Sequence, residues 1–577
     1  MSTEAAAEIA GNNALANHAR VVTSQDGEDG VLEEVLRRIG VDKGWCVEFG
    51  AWDGYFHSNT WNLIRNRQWG AVLIEPIRSA YERLVETYKG CPDVYHFNEG
   101  VDVAGPSSLD AILGRTPIPV EFDLLIVDID GNDLHVWRAF QKYRPKVVML
   151  EFNPFIPHDV RFIKGLDEKG AASASLLADC EVAREKGYEL VCVVGGNAVF
   201  VRSDYFGLFG ITDNRPSAMF RSRYETKIFQ GYDGTLFLAG NRKLIWLHQI
   251  DQSGKLEHVE MADADIQVLP RALRVFRPRL SYSNPYLDEH AGRLDMSRVP
   301  SNRLLTFQRN VTSECGEDGI LGEIFNKLGI SKGCCVDVGA HDGKAFSCTW
   351  PLLNAQGWRG VLIEKDDDAF PALRAAYQGQ AGVQVLKVEI TTAGASTLDA
   401  VLHDAGVAER FDFLCIDVEG NDYHLWNSLR AFRPRVVMVD FNPSISNDVI
   451  FVQEDDPEVN YGSSLRAFIE LAAEKGYALA AVTTWNAIFV ERSRLSQLGI
   501  TDNDIDRMYY PIFEMKLFQS IDSSLRISGC DRLVRHNYVF EPEQIQAVPK
   551  NVRNPPPKPP KVGQTEKLGA VQSVFFD

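Results

Sequence analysis

Apolar residues in this chain gather into short runs, and between the runs they recur every third or fourth position. WCVEF (45–49), AVLIE (71–75), VYHF (94–97), FDLLIVDID (122–130) and KVVMLEF (146–152) are apolar throughout or nearly so, as strands are when both faces are covered. Between them lie stretches with helical spacing. In SQDGEDGVLEEVLRRIG, Ser24 is placed to cap, acids fill the first turn, Val31, Leu32, Val35, Leu36 and Ile39 share one face, and Gly40 stops the helix. HSNTWNLIRNRQW, SAYERLVETYK, SSLDAIL, LHVWRAFQKY and SLLADCEVAREKGY read as further helices. YELVCVV and AVFVR close the series as a strand pair that can supply an antiparallel edge. Strands alternating with helices of about ten residues imply βαβ units and a parallel sheet. The expected fold is a doubly wound, Rossmann-like α/β domain.

The whole series occurs twice. Cys46 and Cys335 are 289 positions apart, and the same offset joins Ser24 to Ser313, Glu75 to Glu364, Asp128 to Asp417 and Asn153 to Asn442. ITDN at 211–214 returns at 500–503; beyond it one residue is taken to drop out before KIFQGYD meets KLFQSID. So long a period means two whole domains, not a solenoid. They are expected at 20–277 and 304–550, after a flexible N-terminus (1–19), joined by a polar linker (278–303) and followed by a proline-rich, disordered tail (551–577).

Composition changes this picture little. At 577 residues the chain exceeds one ordinary domain, and 45% hydrophobic with 24% charged residues is globular. A net charge of −19 argues against broad contact with nucleic-acid phosphates. The first twenty residues show no basic stretch followed by an apolar one and no run of 18 or more apolar residues appears, so neither a secretory leader nor a membrane span is expected. The ten cysteines form no CxxC pair, and several lie inside strands; buried thiols in a reducing, cytoplasmic setting are the expectation.

Ligands of doubly wound sheets sit beyond the carboxyl ends of the strands. Strand one delivers Glu48, Gly50, Asp53 and Gly54 in CVEFGAWDG, matched by Asp337, Gly339, Asp342 and Gly343 in CVDVGAHDG. Two glycines with Trp52 between them do not make the dinucleotide fingerprint. Strand two ends in Glu75 (Glu364 in the second copy), where a carboxylate can accept both ribose hydroxyls. Strand four ends in DIDGND, repeated as DVEGND, and strand five in EFN, repeated as DFN. Asp128, Glu151 and Asn153, with Asp417, Asp440 and Asn442, offer oxygen ligands of the kind Mg²⁺ accepts. The competing reading has the aspartates capping the next helix and the asparagine shaping a turn. His135 and His424, one helical turn past GND, are placed either as bases or as satisfied helix histidines. Trp137 and Trp426 read as core. His57 is matched by Phe346, so no role shared by both copies rests on it.

VEFGAWDG, LIEP, SSLDAIL, FDLLIVDIDGND and RPKVVMLEF, in that order and spacing, resemble the FkbM-type methyltransferases, which are class I, S-adenosylmethionine-dependent enzymes. The resemblance covers about 24–202 and 313–491. It implies that Glu48, Gly50 and Gly54 line the methionine and ribose region and that Glu75 binds the ribose. Asp110 and Asp399, in the SSLDAIL-type segment, join the cofactor-binding set, with Asp53 and Asp342 either touching ligand or holding the turn. It places Asp128 (Asp417) beside the transferring methyl, with His135 (His424) as the other candidate base. A looser similarity to catechol-type O-methyltransferases suggests Mg²⁺. The expectation is methylation of a hydroxyl on a small molecule or glycan. The alternatives are a scaffold of retired methyltransferase domains, or a metal-dependent nucleotide-sugar glycosyltransferase that reads DID as its metal motif.

Overall fold

The computed structural model describes residues 11–129, 131–166, 173–222, 224–231, 233–250, 256–274, 294–296, 298–418, 420–520, 524–536, 538–550 and 553. Most of the expected linker, the first ten residues, nearly all of the proline-rich tail and Asp130 therefore lie outside the described residues.

Each repeat builds a seven-stranded sheet. In the first, β1 (Trp45–Phe49), β2 (Gly70–Ile74), β3 (Val94–Phe97), β4 (Leu124–Val127), β5 (Val147–Glu151), β6 (Tyr188–Val194) and β7 (Asn197–Arg202) lie in the order 3-2-1-4-5-7-6. β1 to β5 are parallel, and β7 runs antiparallel beside β5. The second copy repeats the order with β12 (Cys334–Val338), β13 (Arg359–Glu364), β14 (Val383–Lys387), β15 (Arg410–Ile416), β16 (Arg433–Asp440), β17 (Tyr477–Val482) and β18 (Asn486–Glu491). This is the Rossmann-like doubly wound fold in its class I methyltransferase form, made twice. The strand order reverses beside β1, so the crevice opens between the ends of β1 and β4. Each central strand is buried on both faces, which is why its sequence does not alternate. Trp137 packs edge-on against Tyr188, 5.9 Å between rings, and Trp426 does the same with Tyr477 at 5.8 Å, so both belong to the core.

Three details depart from the sequence expectations. Residues 11–19 are not a loose arm: Leu15 is buried, and Asn13 exchanges two hydrogen bonds with the backbone of Val193. Asn302, 289 positions on, bonds Val482 likewise, so each domain begins earlier than expected. The helix expected over 57–69 shrinks to one π-type turn, Asn62–Asn66, because the preceding HSNT stretch is held to Glu48. Finally, no residue drops out near KIFQ.

After the first sheet come β8 (Thr226–Gln230) and β9 (Leu236–Gly240), then a two-stranded ribbon of β10 (Lys243–Ile250) and β11 (Leu256–Glu260); β8 and β9 are matched at the same offset of 289 by β19 (Met515–Gln519) and β20 (Leu525–Gly529). The two hairpins merge into one four-stranded sheet, β20-β19-β8-β9, in which Lys516 stands opposite Lys227. The repeats are thus joined as the two halves of an isologous dimer would be. Among the described residues no helix is long and apolar enough to cross a membrane.

Candidate active site

The turn after β1 is shaped by close approach of three strand ends. Gly50 (φ 83°) and Ala51 both donate to the Ile74 carbonyl at the end of β2. A Cβ on Gly50 would fall 1.8 Å from the Asp128 carbonyl oxygen, and one on Gly339 would fall 1.9 Å from that of Asp417. Backbone cannot yield as a side chain can, so only glycine fits. Gly54 is held by the Tyr88 ring, whose hydroxyl donates to the Gly54 carbonyl at 2.7 Å.

Trp52 and His341 keep a left-handed backbone, φ 46° and 48°, where a glycine would be the usual choice. Such a conformation costs a side-chain-bearing residue about 1–2 kcal/mol and recurs at functional sites. Glu75 offsets it. Its Oε2 accepts from the Trp52 N–H at 2.9 Å while its Oε1 accepts from Ile77 N–H at 2.7 Å. Glu364 does the same with His341 and Asp366, both at 2.7 Å. Burial raises the Glu75 pKa against these backbone bonds. Each carboxylate oxygen keeps a lone pair for a ligand hydroxyl, so Glu75 can both brace the turn and bind a ribose.

Other expected ligand residues are occupied differently. Glu48 points into the protein, where its carboxylate accepts from Asn59 N–H (2.8 Å), Ser58 Oγ (2.9 Å) and Thr60 Oγ (2.6 Å). Burial raises its pKa, and those donors oppose the rise. Asp337 is one methylene shorter and receives Thr349 Oγ at 2.5 Å; burial pushes its pKa to about 6. Asp53 and Asp342 each accept two N–H bonds from the residues just after them, which makes them turn holders. Asp110 spends its two oxygens on the N–H groups of Gln141 and Lys142, and Asp399 on those of Arg430 and Ala431. Those segments lead into the amino ends of β5 and β16, so both aspartates sit at the far edge of the sheet from the crevice.

At the end of β4, Asp133 accepts from Ile129 and Gly131 N–H, both at 2.7 Å, and Asp422 clamps the second copy's turn likewise. Asp128 is half-buried and Asp417 exposed at the mouth of this turn. His135 Nε2 lies 2.7 Å from the Lys164 carbonyl oxygen, and His424 Nε2 lies 2.7 Å from that of Gln453. A carbonyl only accepts, so Nε2 carries the proton and donates it there. Both histidines hold the loop after strand five, which counts against their expected role as bases.

The expected Mg²⁺ set does not fit a cation. Asn153 Oδ1 accepts from Phe155 N–H, and Asn442 Oδ1 accepts from both the N–H and hydroxyl of Ser444. Glu151 receives the Ser173 hydroxyl at 2.7 Å. These oxygens shape turns, and among the described residues no group of three or more His, Cys, Asp or Glu side chains converges to hold a metal.

The segment before the first helix lies on the same rim. Asp29 Oδ2 accepts the N–H groups of Val22, Thr23 and Ser24, and Thr23 Oγ donates to the Ser58 carbonyl. Glu28, buried and with a raised pKa, takes Asn197 Nδ2 beside the end of β5. The segment therefore crosses the crevice from β1 to β7. It brings Asp26 toward His57, a left-handed residue (φ 57°) whose pKa burial lowers while Asp26 and Asp53 oppose the fall. In the second repeat these positions are Cys315 and Phe346, and Asn59 becomes Cys348. In sequence these are three departures between the copies near the entrance of the β1 turn; in the structure they share one rim.

No family model matches the chain, and no curated protein does. Among solved structures it is similar to a sarcosine dimethylglycine methyltransferase candidate from Galdieria sulphuraria, at 15% identity over 28% of this chain, TM-score 0.21. The chain spans 62% of that protein's length. It is also similar to an S-adenosylmethionine-dependent methyltransferase from Aquifex aeolicus (12% identity, 34% of this chain and 97% of that one, TM-score 0.20). A third is the N-terminal domain of EvdMO1, solved with S-adenosylhomocysteine and D-fucose (9%, 35% and 97%, TM-score 0.23). The strand order, not these distant likenesses, is the ground for the fold.

Proposed function

We propose that the chain is an S-adenosylmethionine-dependent methyltransferase acting on a hydroxyl of a small molecule or glycan, with the first repeat as the catalytic one. The observation that carries this is the β1 turn. In both repeats a glycine is fixed against the β4 backbone, and a strained residue beside it is braced by the strand-two glutamate. The architecture also matches the order of motifs that suggested the FkbM-type family.

When bound, the cofactor supplies a methyl on a positively charged sulfur. The reaction forms a carbon–oxygen bond to the hydroxyl, returns the carbon–sulfur pair to sulfur, and releases the hydroxyl proton. In the first repeat Asp128 and His57 are the side chains at the rim able to take it. Burial keeps His57 neutral near pH 7, as a base must be. Most of the rate would come from positioning and from excluding water.

One feature favours a supporting role for the second repeat. There Asp455, in the loop after strand five, receives Asn421 Nδ2 (3.0 Å) and Thr392 Oγ (2.7 Å), fastening the loop across the ends of β14 and β15. The first repeat has Leu166 and Val103 in place of Asp455 and Thr392, so among its described residues these two positions form no such latch. A screen of hydroxyl compounds with labelled S-adenosylmethionine tests the reading. Glu75→Gln should lower methyl transfer strongly and Glu364→Gln little; equal loss, or transfer indifferent to both, would overturn it.

A further inference from the structure

The joint between the repeats does more than tie them together. In the first repeat the loop after β5 leaves at Asn153, reaches outward to Asp159, and returns past Phe162 to Lys164, where His135 holds its carbonyl. The outer part of that loop is fastened by the other repeat. Lys516 Nζ, on β19, lies 3.0 and 2.8 Å from the two Asp159 oxygens. Phe518, on the same strand, packs with Ile156 and Val160 and sets its ring 5.8 Å from Phe162.

The reverse arrangement is also present. Lys227 Nζ, on β8, lies 2.9 Å from Asp448, which is Asp159 plus the repeat offset. Phe229 sets its ring 6.1 Å from Phe451, the counterpart of Phe162. In that repeat, too, the loop returns to the histidine after β15, through the Gln453 carbonyl. A chance contact between two domains has no reason to be reciprocal at four matched positions.

The lysines are held firmly. Lys516 is 7% exposed and also meets Glu225 at 3.0 Å and Glu514 at 3.1 Å; Lys227 meets Glu514 at 3.2 Å. Two cations therefore serve four carboxylates, two of them on the loops. Removing Lys516 takes both short contacts from the part-buried Asp159 and leaves it Arg298 at 3.7 Å, and removing Lys227 unties the exposed Asp448, so the loop that each lysine holds should be released.

We propose that each repeat's loop after its fifth strand is positioned by the other repeat, through Lys516 acting on Asp159 and Lys227 acting on Asp448. The methyl-accepting side of each site is then built from both halves of the chain. Lys516, Lys227, Phe518 and Phe229 are positioning residues, set on the joint sheet β20-β19-β8-β9. The bearing on methyl transfer rests on the function proposed above, whereas the positioning itself does not.

Hydrogen–deuterium exchange on the full chain, read by peptide, tests it. Lys516→Met should speed exchange about tenfold or more over 153–164 while 442–453 stays unchanged, as local opening would. Lys227→Met should do the reverse. Lys516→Arg should restore protection, and Asp159→Asn should reproduce Lys516→Met without adding to it. Should Lys516→Met fail to fold, Phe518→Leu carries the same readout. Exchange that rises only in the variant's own repeat, or in neither loop, overturns the inference. S-adenosylhomocysteine titrated into the same variants separates the two claims. Absence of binding to the parent chain would remove the methyltransferase reading and leave the crossed exchange pattern standing. Intact binding without that pattern would do the opposite.

Discussion

Asp337 gives the sharpest stability prediction, because its environment can be compared with that of Glu48 within one molecule. Both side chains end strand one and point inward, at 4% exposure each. Glu48 reaches three donors, while the shorter Asp337 takes Thr349 Oγ. Ser347 Oγ, matching Ser58, pairs with Thr349 Oγ instead. Burial therefore dominates at Asp337 and lifts its pKa to about 6, from an ordinary 3.8. The folded state then holds the proton more tightly than the unfolded chain. Stability from this group is fully present below about pH 4 and is lost as pH rises through about 6. The gap corresponds to at most roughly 3 kcal/mol. Asp337→Asn keeps the shape and an oxygen for Thr349 but cannot ionise. Urea unfolding of the parent chain and the variant, at a series of pH values from 4 to 8, gives their difference directly. The variant should gain on the parent by up to roughly 3 kcal/mol between the two ends of that range. A difference that does not change with pH would show that the carboxyl is not burdened by burial, and the reasoning would fail.

Three further outcomes follow from the same geometry. His57→Phe, which copies the second repeat, should leave S-adenosylhomocysteine affinity unchanged while lowering turnover by about 10²–10⁴-fold if His57 is the base; unchanged turnover would leave Asp128 alone in that role. Because burial lowers the His57 pKa, the acid limb of the parent chain's rate profile should fall below the ordinary histidine range, near pH 6.5, and vanish in His57→Phe. Asp110→Asn should cost about 1 kcal/mol in thermal unfolding and nothing in cofactor titration, since it holds a loop at the far edge of the sheet; a lost affinity would return it to the site.

The architecture was legible in the sequence because it depends on period. Apolar runs too continuous for a half-exposed sheet meant covered strands, and AVFVR after YELVCVV is the antiparallel β7–β6 edge. The repeat offset and the glycine turn were legible for the same reason: identity at fixed spacing. What each polar side chain does was less so. Asn153 and Asp128 look alike as oxygen donors in sequence, yet the former's oxygen is taken by the Phe155 N–H two residues on. Asp110 occurs among the family-like motifs but faces the opposite end, a matter of which way its helix runs. The pairing of β8 with β19 joins residues nearly three hundred positions apart, and no local pattern in KIFQ or KLFQ distinguishes a strand that pairs at home from one that pairs across.

The central claim is that the β1 turns are cofactor sites, and calorimetric titration with S-adenosylhomocysteine tests it most directly. Gly50→Ala must move the turn by ~1.4 Å to bring its Cβ from 1.8 Å to an acceptable distance from the Asp128 carbonyl, more than the hydrogen bonds of a bound ligand tolerate. The parent chain should bind, Gly50→Ala should lose the first repeat's site, Gly339→Ala the second's, and the double variant both. A parent chain that gives no heat and no thermal stabilisation, or a double variant that binds as the parent does, would contradict the account.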